Sequence, residues 1–276
     1  SSAQNLSSLG AGTYSVTVTD ANACTISETI TLVESSEVTS TYIDSDWNGY
    51  EIQCFGGDNG SIDLSVSGGV VSLPYDYYID GSLQSSSSGS YVYDFLTAGT
   101  YIIEALDANG CSTSHTVTMN EPSSAVTNTS TVSDYNGYGV TCHGLSDAWI
   151  NFQAIGGVHS PTFPHTYSWS GSTISSNQNL LSVGVGTYTV LASDNNGCTT
   201  TETFVITEPS SLTLDYDTSN YNGYGITCNG LSDGWINLTI DGGIDNLPYV
   251  YSWTGDSNSS AQNLSSLGAG TYYINV

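Results

Sequence analysis

Stretches in which apolar and polar residues alternate are short throughout the chain, and the same stretches keep returning. After Pro248, residues Tyr249, Tyr251 and Trp253 alternate with small or polar neighbours; His165, Tyr167 and Trp169 do so after Pro164, and Tyr75, Tyr77 and Ile79 after Pro74. A period of two sends successive side chains to opposite faces of a strand, so each stretch predicts a central strand with an aromatic core face. A second strand follows each Gly-Thr-Tyr, with Tyr14, Val16 and Val18, then Tyr101, Ile103 and Ala105, then Tyr188, Val190 and Ala192 on one face. It runs into Asp-x-Asn at Asp20, Asp107 and Asp194, a tight hairpin turn, and the next strand opens at Cys24, Cys111 or Cys198. No helical period competes with these patterns.

Three landmarks share one interval of about 87 residues, the signature of a repeat architecture. Ala11-Gly12-Thr13-Tyr14 returns at Ala98 to Tyr101, Val185 to Tyr188 and Ala269 to Tyr272. An aromatic-Asn-Gly-Tyr motif stands at Trp47 to Tyr50, Tyr135 to Tyr138 and Tyr221 to Tyr224, and Glu-Pro-Ser starts at Glu121 and Glu208. Boundaries at the Glu-Pro-Ser junctions predict two complete units, 36–122 and 123–209, flanked by the C-terminal part of a unit (1–35) and the N-terminal part of another (210–276). Ser1 to Tyr14 is identical to Ser259 to Tyr272, so the array is expected to continue beyond both ends. Some seven short strands per unit, a Trp on a central strand and a Tyr opening a late one predict tandem immunoglobulin-like Greek-key β-sandwich domains.

Charge narrows the partners. The chain has no Lys or Arg against 26 Asp and Glu, a formal charge of -26. Phosphate backbones and anionic headgroups are bound through cationic side chains, so nucleic acid and direct membrane insertion are excluded as expectations. The carboxylates must be solvated, screened or bridged by a cation such as Ca²⁺. Six cysteines with no Cys-x-x-Cys spacing imply disulfides and an extracytoplasmic location.

Two disulfide frameworks fit the spacing. Pairing within units joins Cys54 to Cys111 and Cys142 to Cys198 and leaves Cys24 and Cys228 to partners outside the chain. Sequential pairing joins Cys24 to Cys54, Cys111 to Cys142 and Cys198 to Cys228, and would staple neighbouring domains. The first is preferred, because sequential pairing must cross a whole strand plus a junction.

Three further patterns invite chemistry. Asp44-Ser45-Asp46-Trp47-Asn48-Gly49 has the opening of a calcium loop, with Asp44, Asp46 and Asn48 as ligands, but Phe55 occupies the position of the closing Glu. The alternative is a plain Asx turn. Gly230-Leu231-Ser232-Asp233-Gly234 matches a nucleophile elbow, yet a strand pattern follows it where a helix is needed, so a turn is expected. His143 beside Cys142 is expected to be an exposed loop residue. Trp149 and Trp235 occupy a position held by Ser61 in the first unit; a position that accepts either residue is expected outside the core, at a domain junction or a ligand contact. Catalytic groups do not recur together, so no enzyme is expected.

The run Tyr221-Asn-Gly-Tyr-Gly-Ile-Thr-Cys-Asn-Gly-Leu-Ser-Asp-Gly-Trp-Ile-Asn-Leu238, then Gly242-Gly243, Pro248-Tyr249 and Tyr251-Ser252-Trp253, resembles the SprB-type repeat of Bacteroidota gliding adhesins. The first unit departs most, with Trp47, Phe55 and Ile79. The resemblance implies a long cell-surface filament exported by type 9 secretion. Its implied partners are neighbouring repeats, the outer-membrane gliding and secretion machinery, and an extracellular surface or polysaccharide.

Overall fold

The computed structural model describes residues 4–70, 74–162, 164–244 and 247–276, and every regular element among them is a β-strand. The chain divides into two compact units, Ser1–Ala125 and Val126–Val276.

The first unit opens with an antiparallel hairpin, β1 (Gly12–Thr19) and β2 (Thr25–Leu32). A sandwich follows. One sheet contains β3 (Ser36–Asp44), β4 (Gly60–Gly69) and β7 (Ser90–Leu96) in the order β3-β4-β7. The other contains β5 (Tyr75–Ile79), β6 (Ser82–Ser87), β8 (Gly99–Leu106) and β9 (Ser112–Met119) in the order β6-β5-β8-β9. All pairs are antiparallel, and the chain changes sheet between β4 and β5, between β6 and β7 and between β7 and β8, which is the crossing pattern of an immunoglobulin-like Greek key.

The second unit repeats this plan. Strands β10 (Thr127–Val132), β11 (Ala148–Ile155) and β13 (Leu180–Val183) form one sheet, and β12 (Thr166–Gly171), β14 (Gly186–Ser193) and β15 (Thr199–Ile206) the other. Beyond them β16 (Ser210–Thr218), β17 (Gly234–Gly243) and β19 (Leu264–Leu267) form a third three-stranded sheet, and β18 (Ser252–Gly255) pairs with β20 (Tyr272–Asn275).

Alternation along the strands builds the cores. In the first sandwich Ile62, Leu64, Val66 and Tyr93 of one sheet meet Tyr75, Tyr77, Ile103, Ala105, Val117 and Met119 of the other, and Ile52 closes one end. In the second, Ala148, Ile150, Phe152, Ala154 and Leu180 meet Trp169, Tyr188, Val190, Ala192, Phe204 and Ile206, with Val140 in the place of Ile52. Trp169 and Trp253 lie inside, as the period-two pattern predicts, and each indole N–H donates to a carbonyl at 2.8 Å, of Asn177 and Ala261 respectively. A buried indole needs such a partner, because an unpaired N–H in an apolar core is costly.

The Tyr of each Gly-Thr-Tyr makes a tyrosine corner. Its hydroxyl donates to the carbonyl four residues upstream: Tyr14 to Gly10 at 2.8 Å, Tyr101 to Thr97 at 3.0 Å, Tyr188 to Gly184 at 2.9 Å and Tyr272 to Gly268 at 2.9 Å. This bond pins the crossing segment to the strand it enters.

Candidate functional site

The polar chemistry of each sandwich gathers at its two ends. At the entry end, where the chain arrives, an Asp-x-Asn hairpin turn meets a Gly-Gly loop. Asp107 is buried, and its Oδ1 accepts the N–H groups of Asn109 and Cys111, both at 2.9 Å, while Oδ2 accepts Val70 N–H at 3.0 Å. Asp194 repeats the arrangement with Asn196 at 2.9 Å, Cys198 at 2.8 Å and Val158 at 2.8 Å. Burial alone would push the Asp107 carboxyl up, but the N–H donors of Cys111, Val70 and Asn109 more than offset it and hold the group below the usual carboxylate range. The Gly-Gly loop fits because a Cβ on Gly69, which sits at φ 61, would strike Asp107 and Val38. One residue earlier, a carbonyl of the same loop takes a bond from the start of the central strand: Tyr75 Oη donates to Gly68 at 2.6 Å and Tyr249 Oη to Gly242 at 2.8 Å, while His165 Nε2 lies 3.0 Å from Gly156 O. The sequence marks the Asp as a turn former; that its carboxylate also ties the turn to a second loop is visible only in three dimensions.

At the exit end, a loop follows the first strand of each sandwich. It begins with an Asx turn. Asp46 Oδ1 accepts Gly49 N–H, Asp134 accepts Gly137 N–H and Asn220 accepts Gly223 N–H, each at 2.7 Å. Asn48, Asn136 and Asn222 all take left-handed φ values, 53, 56 and 54. A neutral Asn220 makes the same bond as Asp46, so the turn needs an acceptor oxygen and not a charge. Asp44 belongs to β3, paired across from Ile62. Among the described residues no group of three His, Cys, Asp or Glu is placed to hold a metal ion.

The loop then reaches its cysteine and docks on the last residues of the same sandwich. Ile52 N–H donates to Asn120 O at 3.0 Å, and Gly56 N–H to the Glu121 carboxylate. In the second sandwich Gly139 N–H donates to Thr207 O at 2.9 Å and Gly144 N–H to Glu208 Oε2 at 2.6 Å. His143, half exposed, lies 3.4 Å from Glu208 Oε1 and 3.3 Å from Pro209 O. The Glu of each Glu-Pro-Ser is therefore a clamp on the cysteine loop as well as a junction marker. A second brace closes the loop: Asp147 accepts Thr141 N–H at 3.1 Å and its hydroxyl at 2.5 Å, and Asp233 does the same for Thr227. The Thr hydroxyl bond is the main cause that holds both carboxyls below their usual range. In the first sandwich the neutral pair Gln53 and Asn59 fills this role. Asp233 is thus a brace leading into a strand, and the Gly230 to Gly234 motif is a turn.

This geometry corrects the preferred disulfide pairing. Cys54 lies in the exit-end loop beside Asn120, whereas Cys111 lies at the hairpin tip, with all eight residues of β9 between that tip and Asn120. Eight strand residues span about 26 Å, against a Cα separation of at most ~7 Å in a disulfide. The same reasoning separates Cys142 from Cys198 by the length of β15. Cys24, Cys111, Cys142 and Cys228 are exposed free thiols, while Cys54 and Cys198 are disulfide-bonded. Neither Cys54–Cys111 nor Cys142–Cys198 forms, and the sequential framework is equally absent.

Trp149 and Trp235 are the second residues of β11 and β17, half-buried and facing away from the core that Ala148 and Ile150 enter. Their backbones bond to Ser133 and Ser219 in both directions, as Ser61 does with Ser45. The main chain fixes this position in every copy and leaves the side chain free, which is why Trp and Ser interchange there.

The SprB repeat model matches residues 51–84 and 226–258, each spanning an exit-end loop and the strands that follow it. No curated protein matches the sequence. Among solved structures, the central fibronectin-III array of RIM-binding protein is 13% identical, with 88% of this chain and 85% of that chain covered and a TM-score of 0.21. Both matched stretches hold a loop cysteine, a Gly-Gly turn and an aromatic strand, and it is in these two stretches that the chain is similar to the SprB repeat.

Proposed function

We propose that the chain is part of the stalk of a secreted bacterial surface adhesin that serves gliding motility and surface attachment. The observation that carries this reading is the recurrence, at one period, of the same two-ended sandwich with matching hydrogen-bond networks at its ends. The contribution of such repeats scales with their number. The repeat units run 36–122 and 123–209, with parts of further units at 1–35 and 210–276. An acidic surface with no Lys or Arg keeps neighbouring stalks apart by like charge. The partners of this reading are neighbouring repeats, the outer-membrane gliding and secretion machinery, and an extracellular polysaccharide or surface.

Deleting several repeats from the full-length adhesin tests the reading. The surface filament is expected to shorten in proportion, seen by electron microscopy of cells, while the remaining domains stay folded. Unchanged filament length, or unfolding of the remaining domains, would contradict it.

A second reading has one observation in its favour: Trp149 and Trp235 present half-buried indoles on outer strand faces. Indoles so placed stack on sugar rings or on a neighbouring surface. Titration with surface polysaccharide, followed by tryptophan fluorescence in wild type and W149S/W235S, decides whether they are a glycan contact.

A further inference from the structure

Outward-facing rows at the same place on three sheets carry different chemistry. On β10 and β11, Thr129 lies across from Gln153 and Thr131 from Asn151, with Trp149 next along β11. Residues opposite one another share a face, so these five side chains form one row, and all are neutral. On β16 and β17 the row pairs Asp215 with Thr239 and Asp217 with Asn237, between Trp235 and Asp241. On β3 and β4 it pairs Thr41 with Ser65 and Ile43 with Asp63, and Ser61 stands in place of the Trp. Of the three rows, that of β10 and β11 alone joins an indole to amides and hydroxyls without a carboxylate.

The loop beside each row widens the difference. Gln-Asn-Leu at 178–180 returns at 262–264. Strand β11 pairs with β13 only through Ala148 to Ile150, and β17 with β19 only through Gly234 to Ile236. Just past that pairing Asn179 Oδ1 accepts Phe152 N–H and Asn263 Oδ1 accepts Leu238 N–H, each at 2.9 Å. The preceding glutamines diverge. Gln262 Nε2 donates to Leu238 O at 2.8 Å and closes that strand edge, whereas Gln178 is exposed and lines a hollow of about 270 Å³ together with the side chains of the neutral row. A second hollow of about 400 Å³ shares Gln153 and Gln178 with the first and has Tyr167 and Pro164 in its wall. Each is close to the ~300 Å³ at which small-ligand pockets begin, and the shared residues make them one groove. Among the described residues, no carboxylate lines either hollow.

We propose that this groove binds a neutral polysaccharide, with one sugar ring stacked on the Trp149 indole and the neighbouring ring held by the amides of Asn151, Gln153 and Gln178. The proposal rests on the glycan reading above and assigns it to the second sandwich. A pyranose has an apolar C–H face and a rim of hydroxyls that both donate and accept. An indole matches the face, and side-chain amides, which carry donors and acceptors together, match the rim. Two residues along β11 put Asn151 about 7 Å from Trp149, so both can meet one chain of sugars. Charge selects the class of ligand. With no Lys or Arg, the chain offers no such cation to a sulfated or uronic-acid glycan, and its acidic surface repels one. Trp235 has no such rim, because Asp215, Asp217 and Asp241 share its face and Gln262 is committed to Leu238.

The 276-residue chain is titrated calorimetrically with laminarin, dextran, mannan and agarose oligosaccharides, and with alginate as the anionic control. Binding of at least one neutral glycan is expected, and none of alginate. Absence of binding to all four neutral glycans, or binding of alginate alone, overturns the proposal. W149S and Q178A should each weaken binding about tenfold, and N151D, which copies the carboxylate of Asp63, should weaken it as well. W235S should leave it unchanged. Gln178 is exposed, so Q178A separates the contact from the fold. Equal losses in W149S and W235S, or full binding by Q178A and N151D, would keep the glycan reading and overturn its assignment to this groove. None of these results touches the stalk reading.

Discussion

The two complete sandwiches solve one packing problem with different side chains. Ile79 in β5 and Tyr93 in β7 occupy the places that Trp169 in β12 and Leu180 in β13 occupy in the second, as the registers show: Ile79 pairs with Ile103 and Trp169 with Val190, while Tyr93 and Leu180 pair with Ile62 and Ile150. The large aromatic has moved from one sheet to the other, and the small residue has moved the opposite way. In both cases the polar tip of the aromatic finds a carbonyl, Tyr93 Oη on Tyr78 at 2.9 Å and Trp169 Nε1 on Asn177 at 2.8 Å. The entry-end hairpin turn, by contrast, keeps its residues: Asp107 and Asp194 hold the same turn with the same three kinds of N–H donor. A core tolerates exchange if volume is conserved. A buried carboxylate with three backbone donors fits one geometry, and a lost partner there is costly.

The largest effect should come from emptying the aromatic site. W169A is expected to destabilise the second sandwich by about 3–5 kcal/mol and to leave the first with its own cooperative urea transition, read by tyrosine fluorescence. Loss of both transitions together would deny that each sandwich has its own core.

The exchange itself is tested by moving it. I79W alone should overpack the first sandwich and cost about 1–3 kcal/mol. Adding Y93L should recover most of that cost, with a coupling energy of roughly 1 kcal/mol or more in the double-mutant cycle. Additive effects would mean that the two positions do not share one volume.

An end carboxylate and a core hydroxyl respond to opposite extremes of pH. The Asp107 carboxyl lies below its usual range in the folded chain. Its contribution is present above the ordinary Asp pKa of about 3.9 and is lost as pH falls through the lower folded value. D107N should therefore flatten the acid limb of the first sandwich's stability profile in thermal melts. Tyr93 acts at the other extreme: burial pushes its hydroxyl up, so its contribution holds below about pH 10 and is lost as pH rises through the raised value. Y93L should flatten that alkaline limb.

The smallest effect is expected at Trp149. Its backbone makes the bonds that Ser61 makes in the first sandwich, so W149S should change stability by no more than about 0.5 kcal/mol by urea denaturation.

Strand positions, core tryptophans, tyrosine corners and hairpin turns were legible because each depends on residues close in sequence or on a period of two. The disulfide framework was not. Spacing counts residues between Cys54 and Cys111 but does not record that β9 carries the chain from one end of the sandwich to the other. The equivalence of Asn220 and Asp46 appeared once each was seen accepting the N–H of the Gly three residues on. The Glu121 and Glu208 clamps had no local signal, because each reaches a loop more than sixty residues earlier.

Stretching single molecules of the chain under reducing conditions tests the central claim most directly, that the array is a string of independently folded sandwiches. Two similar lengthening steps are predicted for the two complete sandwiches, each releasing about 87 residues, or roughly 300 Å of contour less the folded length. A single rupture that releases the whole chain would contradict it.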